Sequence, residues 1–349
     1  MHRTVLLVAL AGVGCGTFTT APAAATPAGP PAVHGVALPG APPTGGVLMD
    51  YIAYDRAHHR VWVPAGNTGS VDVLDATNDQ VTRIEGFPTA EMERQGTKRT
   101  VGPSSVTVGN GFVYVGNRGD SSVCAVDAVA LKKLGCIKID SMPDGLAYVA
   151  ATHEVWVTTP RDKSIRVVDV AKPDALAAKG RISFEGEPEG FAVDDKRLLF
   201  YTNLEDKDRT LVIDVKTHQI TSTWMPACGK DGPRGLALDE DLDFLFVACT
   251  DHVEVLDAGH GGKQLSSIFT GPGVDNIDYV AHRRELFAAA SRAATLTVAR
   301  VDEHGTLTAV VVVPTAPGAR NAVATEEGKA FLTDSPEGKI LVVSPATTR

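Results

Sequence analysis

Short apolar runs alternating with polar positions, broken by Gly, Asp and Asn, recur along this chain from Asp50 to its end. In one stretch they occupy residues 235–239, 244–249, 252–257 and 264–269. Period-two alternation rich in branched and aromatic residues predicts β-strands, and the breakers between the runs predict turns. Four runs make one unit, and each unit opens on a related sequence. Gly102-Pro103-Ser104-Ser105-Val106, Met142-Pro143-Asp144-Gly145-Leu146, Glu187-Pro188-Glu189-Gly190-Phe191 and Gly232-Pro233-Arg234-Gly235-Leu236 are copies of one another. Met49-Asp50-Tyr51-Ile52, Val274-Asp275-Asn276-Ile277 and Ala319-Arg320-Asn321-Ala322 fill the same slot more loosely. The marker residues Asp50, Ser104, Asp144, Glu189, Arg234, Asp275 and Arg320 are separated by 54, 40, 45, 45, 41 and 45 residues. A period of about 40–45 residues is that of a four-stranded propeller blade. The pattern therefore predicts an all-β, seven-bladed β-propeller over residues 33–349. No stretch makes a convincing amphipathic helix; the best short candidates are 90–94 and 173–178, both in loops.

Within the units, positions recur with evident roles. The second run carries an aromatic at one level: Trp62, Tyr114, Trp156, Phe200, Phe246, Phe287 and Phe331, which reads as packing between blades. The third run ends in Asp in six copies, at Asp75, Asp127, Asp169, Asp214, Asp257 and Asp302. An Asp at a strand end bonds backbone N–H groups of the following turn, so these six read as scaffold. The seventh unit has three runs, and an isolated run at 33–38 precedes the first unit. That N-terminal strand completes the last blade and removes the open edges.

Tyr114-Val115-Gly116-Asn117 followed by 123–127, and Phe200-Tyr201-Thr202-Asn203 followed by 211–214, resemble the YVTN repeat of the YncE-like family of bacterial secreted seven-bladed propellers. The resemblance covers nearly all of the chain after its first segment. It implies the fold strongly and an activity hardly at all, because the motif is structural. Trp156-Val157-Thr158-Thr159 and Phe246-Val247-Ala248-Cys249 lack its terminal Asn.

Strand order places the seven markers around the mouth of the central channel, with Pro before them in four blades and Gly after them in three. In ring order Arg234 stands between Glu189 and Asp275, and Arg320 between Asp275 and Asp50. Four carboxylates against two guanidiniums leave an excess of negative charge, concentrated on the neighbours Asp144 and Glu189. Two readings follow: a self-satisfied ion-pair network joining blades, or a ligand site at the mouth. Adjacent carboxylates raise each other's pKa unless a proton or cation intervenes, so Ca²⁺ or another divalent cation held by Asp144, Glu189 and Asn276, with Ser104 as a further oxygen donor, is one form of the second reading. On the same face, the long connection 86–102 reads as a channel lid or a solvated insertion.

Bulk composition narrows the classes. A formal charge of −9 argues against nucleic-acid binding, which wants a basic face. Residues 1–15 combine a positive start with an apolar run too short to span a bilayer, so they read as an export signal. Either Gly14-Cys15-Gly16 ends a lipoprotein signal with lipidation of Cys15, or cleavage falls within 21–25. Residues 16–32, rich in Ala and Pro, read as a tether. The protein is thus expected to be a periplasmic or secreted monomer, reaching the membrane only through a lipid anchor. Export leaves four cysteines to pair. The blade map puts Cys124 and Cys136 on hairpin neighbours and Cys228 and Cys249 on the marker face, which predicts those two disulfides.

No haem, zinc-protease, nucleophile-elbow or phosphate-loop motif is present. His58, His59, His153 and His282 fall in turns on the face away from the ring, as solvated side chains. No catalytic residue or firm cofactor is indicated. The expected function is a non-enzymatic binding or scaffold propeller that uses its mouth face for a protein or small ligand. The rival reading is a metal-dependent, gluconolactonase-like hydrolase with a cation at the mouth, built on Asp144, Glu189, Asn276 and Asn321; such enzymes are usually six-bladed. A quinoprotein-like dehydrogenase lacks any cofactor signature.

Overall fold

A computed structural model of the chain describes residues 30–346 except Gln95. The expected signal segment, Cys15 and all of the tether but Pro30, Pro31 and Ala32 lie outside the described residues. Seven four-stranded antiparallel sheets follow one another along the chain, each a meander from an innermost strand to an outer edge. The second blade is typical, with strands Pro103–Gly109, Phe112–Asn117, Ser122–Asp127 and Lys132–Lys138. The fifth runs Pro233–Asp239, Phe244–Cys249, His252–Asp257 and Lys263–Phe269, within two residues of the runs expected from the pattern.

The last blade closes as expected. Ala32–Ala37 pairs antiparallel with Lys339–Ser344, in register from Ala32↔Ser344 to Ala37↔Lys339. Most side chains of this strand are exposed, so backbone bonds hold it more than burial does. Leu38, just past it, is buried with Val47, Met49, Val61 and Val63 of the first blade and Phe331 and Val342 of the last. The two ends of the chain thus share one core. Ala32 lies beside Ser344, at the opposite end of the last blade from the markers, so the N-terminal segment joins the propeller on the face away from the ring.

The recurring aromatics do what their periodicity implied. Trp62, Tyr114, Trp156, Phe200, Phe246, Phe287 and Phe331 are each no more than 1% exposed, and Trp156 packs on Phe200 of the next blade at 4.6 Å between ring centroids. Burying one such ring is worth about 2–3 kcal/mol. All six strand-end aspartates accept turn N–H groups: Asp75 from Thr77, Asp127 from Val129 and Ala130, Asp169 from Ala171, Asp214 from Lys216 and Thr217, Asp257 from His260, Asp302 from His304 and Thr306. These bonds favour the charged form and hold Asp127 and Asp214 below the usual carboxylate range. His58 bonds Asp55 at 2.7 Å, while His59 and His153 sit in left-handed turns against Tyr54 and Tyr148.

The two short helix candidates are not helical. Ala90–Arg94 is a strand paired with Thr97–Val101, so the connection 86–102 carries a β-hairpin of its own. The segment's Glu and Met favour a helix, but the branched partner Thr-Lys-Arg-Thr-Val and the left-handed Gly96 (φ +74°) outweigh five residues of propensity, too few to nucleate a helix. Glu93 stands across from Lys98. At 173–178 the chain turns and then begins the strand Ala177–Ser183. Among the described residues there is no α-helix, only six three-residue 3₁₀ turns, and no helix long and apolar enough to cross a membrane. Both expected disulfides are present, Cys124–Cys136 and Cys228–Cys249.

Closure yields a direct test. Deleting residues 33–38 removes five of the six pairs of this ladder and the buried Leu38. At roughly 1 kcal/mol per lost hydrogen bond, the melting temperature should fall by about 10 °C or more. Deleting 16–31 should leave it unchanged. Differential scanning calorimetry of the two truncations checks the pair.

A candidate binding ring at the channel mouth

In the third, fourth and seventh blades, side chains of the second strand hold the marker loops in place. Thr202 donates to the carbonyl of Gly190 in its own blade at 2.8 Å, and Asn203 donates to the carbonyl of marker Arg234 in the next blade. Thr158 accepts from the N–H of Gly145 at 2.8 Å, and Thr333 donates to the carbonyl of Arg320 at 3.0 Å. Crowding near the axis explains the glycines. A Cβ on Gly145 would lie 2.6 Å from the ring of Phe191 and 3.1 Å from that of Tyr51. Gly190 adopts φ +67°, and a Cβ there would lie 2.3 Å from the Arg234 carbonyl.

Six of the seven markers carry ionisable groups, and five of them join three sets of ion pairs. Arg118 bridges Asp50 at 3.1 Å and Asp144 more closely still. Arg320 pairs with Asp275 and lies 3.6 Å from Asp50. Arg234 turns away from the position expected between Glu189 and Asp275: its guanidinium binds Glu205 at 2.5 Å, on the connection after the second strand of the fourth blade. Ser104 is buried, with its hydroxyl 3.4 Å from the carbonyl of Gly116 and 3.5 Å from that of Pro143.

Glu189 is left with a neutral partner. The Tyr51 hydroxyl, reaching across from the first blade, donates to its carboxylate at 2.7 Å, and accepts from the N–H of Gly190 at 3.3 Å. Tyr51 stacks on Phe191 with centroids 5.7 Å apart. Among the described residues no cation pairs with Glu189. Burial, then the charges of Asp144, Asp275 and Asp50, push its pKa well above the usual carboxylate value, and the tyrosine bond only partly offsets this. Asp144 and Asp275 are also raised by burial, against the lowering pull of Arg118 and Arg320 respectively. The same environment raises the Tyr51 phenol far above its usual value, so it stays a neutral donor. The carboxyl left without a cation is therefore Glu189 alone, since Asp144 is paired with Arg118. Asn321, in the left-handed region at φ +55°, donates to the Asp50 backbone at 3.0 Å and accepts the N–H of Asn276 at 3.1 Å. The side-chain nitrogen of Asn276 is buried without a partner.

Sequence reasoning missed Arg118, Tyr51 and Glu205. Arg118 directly follows the Tyr-Val-Gly-Asn copy on the marker face, and Tyr51 follows marker Asp50. Their positions were open to inspection; their reach across the channel was not. One His/Cys/Glu cluster, Cys249, His252 and Glu254, has metal-like spacing, but Cys249 is spent in its disulfide.

No family model matches this chain, and no curated protein matches it. Among solved structures it is similar to a chain of the mitotic checkpoint complex (TM-score 0.70, 15% identity, covering 97% of this chain and 100% of that one). It is also similar to the hydrazine synthase of Kuenenia stuttgartiensis (0.71, 14%, 88% and 98%) and to a streptogramin B lyase (0.67, 11%, 90% and 97%). At such identities the likeness establishes the propeller fold.

Two outcomes test the ring. Arg118→Met leaves Asp50 and Asp144 facing each other in a partly buried site, and should cost about 3 kcal/mol in chemical denaturation, the lower end for a broken buried pair. For Glu189, the folded pKa lies above the unfolded one, so the folded state holds the extra proton. The stability this contributes is complete below about pH 4.5 and is lost as pH rises through the folded value. Glu189→Gln, which keeps an acceptor for Tyr51, should match the wild type near pH 4 and exceed its melting temperature at pH 8.

Proposed function

We propose that this chain is an exported, non-enzymatic binding propeller of the YncE-like, YVTN-repeat kind, and that its acidic ring receives a cationic group of a ligand or protein partner. The observation that carries this reading is Glu189: a carboxyl at a channel mouth, enclosed by protein and opposed by three further carboxylates, whose one side-chain hydrogen bond comes from a neutral tyrosine. A lysine, arginine or polyamine nitrogen placed there gains the full attraction of the uncompensated site and displaces its proton. The fold supports binding in general, since it occurs in a checkpoint assembly as well as in enzymes, and function has to be argued from the site.

The hydrolase reading fits less well. Asp144, the first of its metal ligands, is already neutralised by Arg118. Two disulfides fit an oxidising compartment. With the N-terminal segment joined to the opposite face, a lipid on Cys15 would leave the ring directed away from the membrane.

Calorimetric titration with an oligolysine peptide, paired with metal analysis of the purified protein, tests the reading. We expect binding that weakens at least tenfold, about 1.4 kcal/mol, in Glu189→Gln, and no stoichiometric metal. Stoichiometric metal in the wild type that disappears in Asp144→Asn and Glu189→Gln would replace this reading with the hydrolase one.

A further inference from the structure

In six blades a four-residue turn joins the second strand to the third. In the fifth the turn is only Thr250 and Asp251, between Phe244–Cys249 and His252–Asp257. The register Ala248↔Val253 runs on into this short turn and sets Cys249 opposite His252. Glu254, two residues along, shares the face of His252. One ligand atom from each of Cys249, His252 and Glu254 lies within 4.8 Å of the other two. Cys228, bonded to Cys249, brings a second sulfur to the same place.

The scaffold does not ask for these side chains. Where Cys249 faces His252, the first blade pairs Ala65 with Ser70 and the sixth pairs Ala290 with Thr295. Glu254 is buried, accepts from Gln264 at 3.0 Å and lies 3.4 Å from Nε2 of His252, and its Oε2 has no hydrogen-bond partner. A buried carboxylate oxygen left unanswered costs stability, and a cation beside it removes that cost. The Asp251 carboxylate holds Nδ1 of His252 at 2.6 Å, which turns Nε2 towards Glu254. A carboxylate on one imidazole nitrogen, with the other directed inward, is the support that metal-bound histidines use. The cluster meets solvent through His252, a quarter exposed, and the partly buried Cys228.

We propose that Cys228, Cys249, His252 and Glu254 form a redox-gated zinc site. While the disulfide stands, the two sulfurs are bonded to each other and the site is shut. A dithiol reductant opens it by exchange: its thiolate attacks Sγ of Cys228, Cys249 leaves as a thiolate, and the second thiol of the reductant releases Cys228. Two electrons pass from the dithiol, which becomes a disulfide, to the protein pair, which becomes two thiols. Zn²⁺ then takes both sulfurs as thiolates, and their two protons go to solvent. Two sulfurs, one imidazole nitrogen and one carboxylate oxygen make a four-coordinate zinc set. With bonds of about 2.0–2.3 Å, tetrahedral ligand atoms stand roughly 3.4–3.8 Å apart, so the cluster has to contract by only about an ångström. Ala227, Gly229 and Lys230 around Cys228 are exposed, which leaves its loop room to carry the sulfur aside. The oxidising compartment proposed above keeps the site shut, and zinc uptake follows an encounter with a reductant. The site shares no residue with the ring and stands independently of the function proposed for it.

Zinc titration of the full chain, oxidised and after reduction with dithiothreitol that is then removed under argon, tests the proposal. The reduced chain should bind one Zn²⁺ at least about a hundredfold more tightly than the oxidised chain, and Co²⁺ in its place should show thiolate-to-metal charge-transfer absorption. Cys124→Ser with Cys136→Ser, which removes the other pair of thiols, should bind as the wild type does. His252→Asn should weaken binding at least tenfold and Glu254→Gln several-fold. Zinc should also raise the melting temperature of the reduced chain and not that of the oxidised one, a readout that needs no cysteine variant to fold. Equal zinc affinity before and after reduction, absence of cobalt–thiolate absorption, or unchanged binding in His252→Asn or Glu254→Gln would overturn the proposal.

Discussion

Each sheet in this chain is apolar on both faces, and burying both faces of every sheet is the constraint from which the architecture follows. A row of such sheets leaves an exposed face at either end, and only a closed ring leaves none. The shared core of Leu38, Val47, Val61, Phe331 and Val342 is where this is met, because it joins the first blade to the last. The large aromatic at one level of every second strand keeps the sheets at a common separation. The terminal strand then covers the outer edge of the last blade with backbone hydrogen bonds, adding little side-chain burial.

Closure brings seven strand starts to one crowded axis, and the channel chemistry follows from that crowding. Gly145 must pass close to the rings of Phe191 and Tyr51, and Gly190 close to the backbone of Arg234, which selects glycine at both. Side chains long enough to meet across the gap then interact with blades far from their own. Tyr51 crosses from the first blade to Glu189 on the fourth, and Arg118 ties the markers of the first and third blades through Asp50 and Asp144. The ring is a dense ionic layer that the blades hold rigidly, with one carboxyl short of a cation. Behind it, residues from the innermost strands of all seven blades, polar as well as apolar, enclose a cavity.

Much of this was legible in order along the chain. The period of the repeats, the recurring aromatics, the strand-end aspartates and both disulfides depend on spacing within or between adjacent blades, and they hold in the structure. The connection 86–102 reads along the chain as a lid or a solvated insertion, and its hairpin at 90–101 shows only once Ala90–Arg94 finds the branched partner Thr97–Val101 within hydrogen-bonding reach. At the ring, the marker positions were legible and their pairing was not. Arg320 meets Asp275, as ring order implied, whereas Arg234 turns outward to Glu205, and Arg118, which belongs to no marker slot, takes Asp144.

The division has a physical origin. Blade number, strand order and closure follow from hydrophobic periodicity and chain connectivity, which are local properties repeated along the chain. Which carboxyl at the mouth lacks a cation depends on which long side chains meet across the channel. Asn321 and Asp50 are 271 positions apart in the chain, and Tyr51 and Glu189 are 138 apart. Such contacts are set by rotamer and reach at the axis, and no spacing along the chain encodes them. The buried, unpartnered side-chain nitrogen of Asn276 is likewise visible only once the strands enclose it.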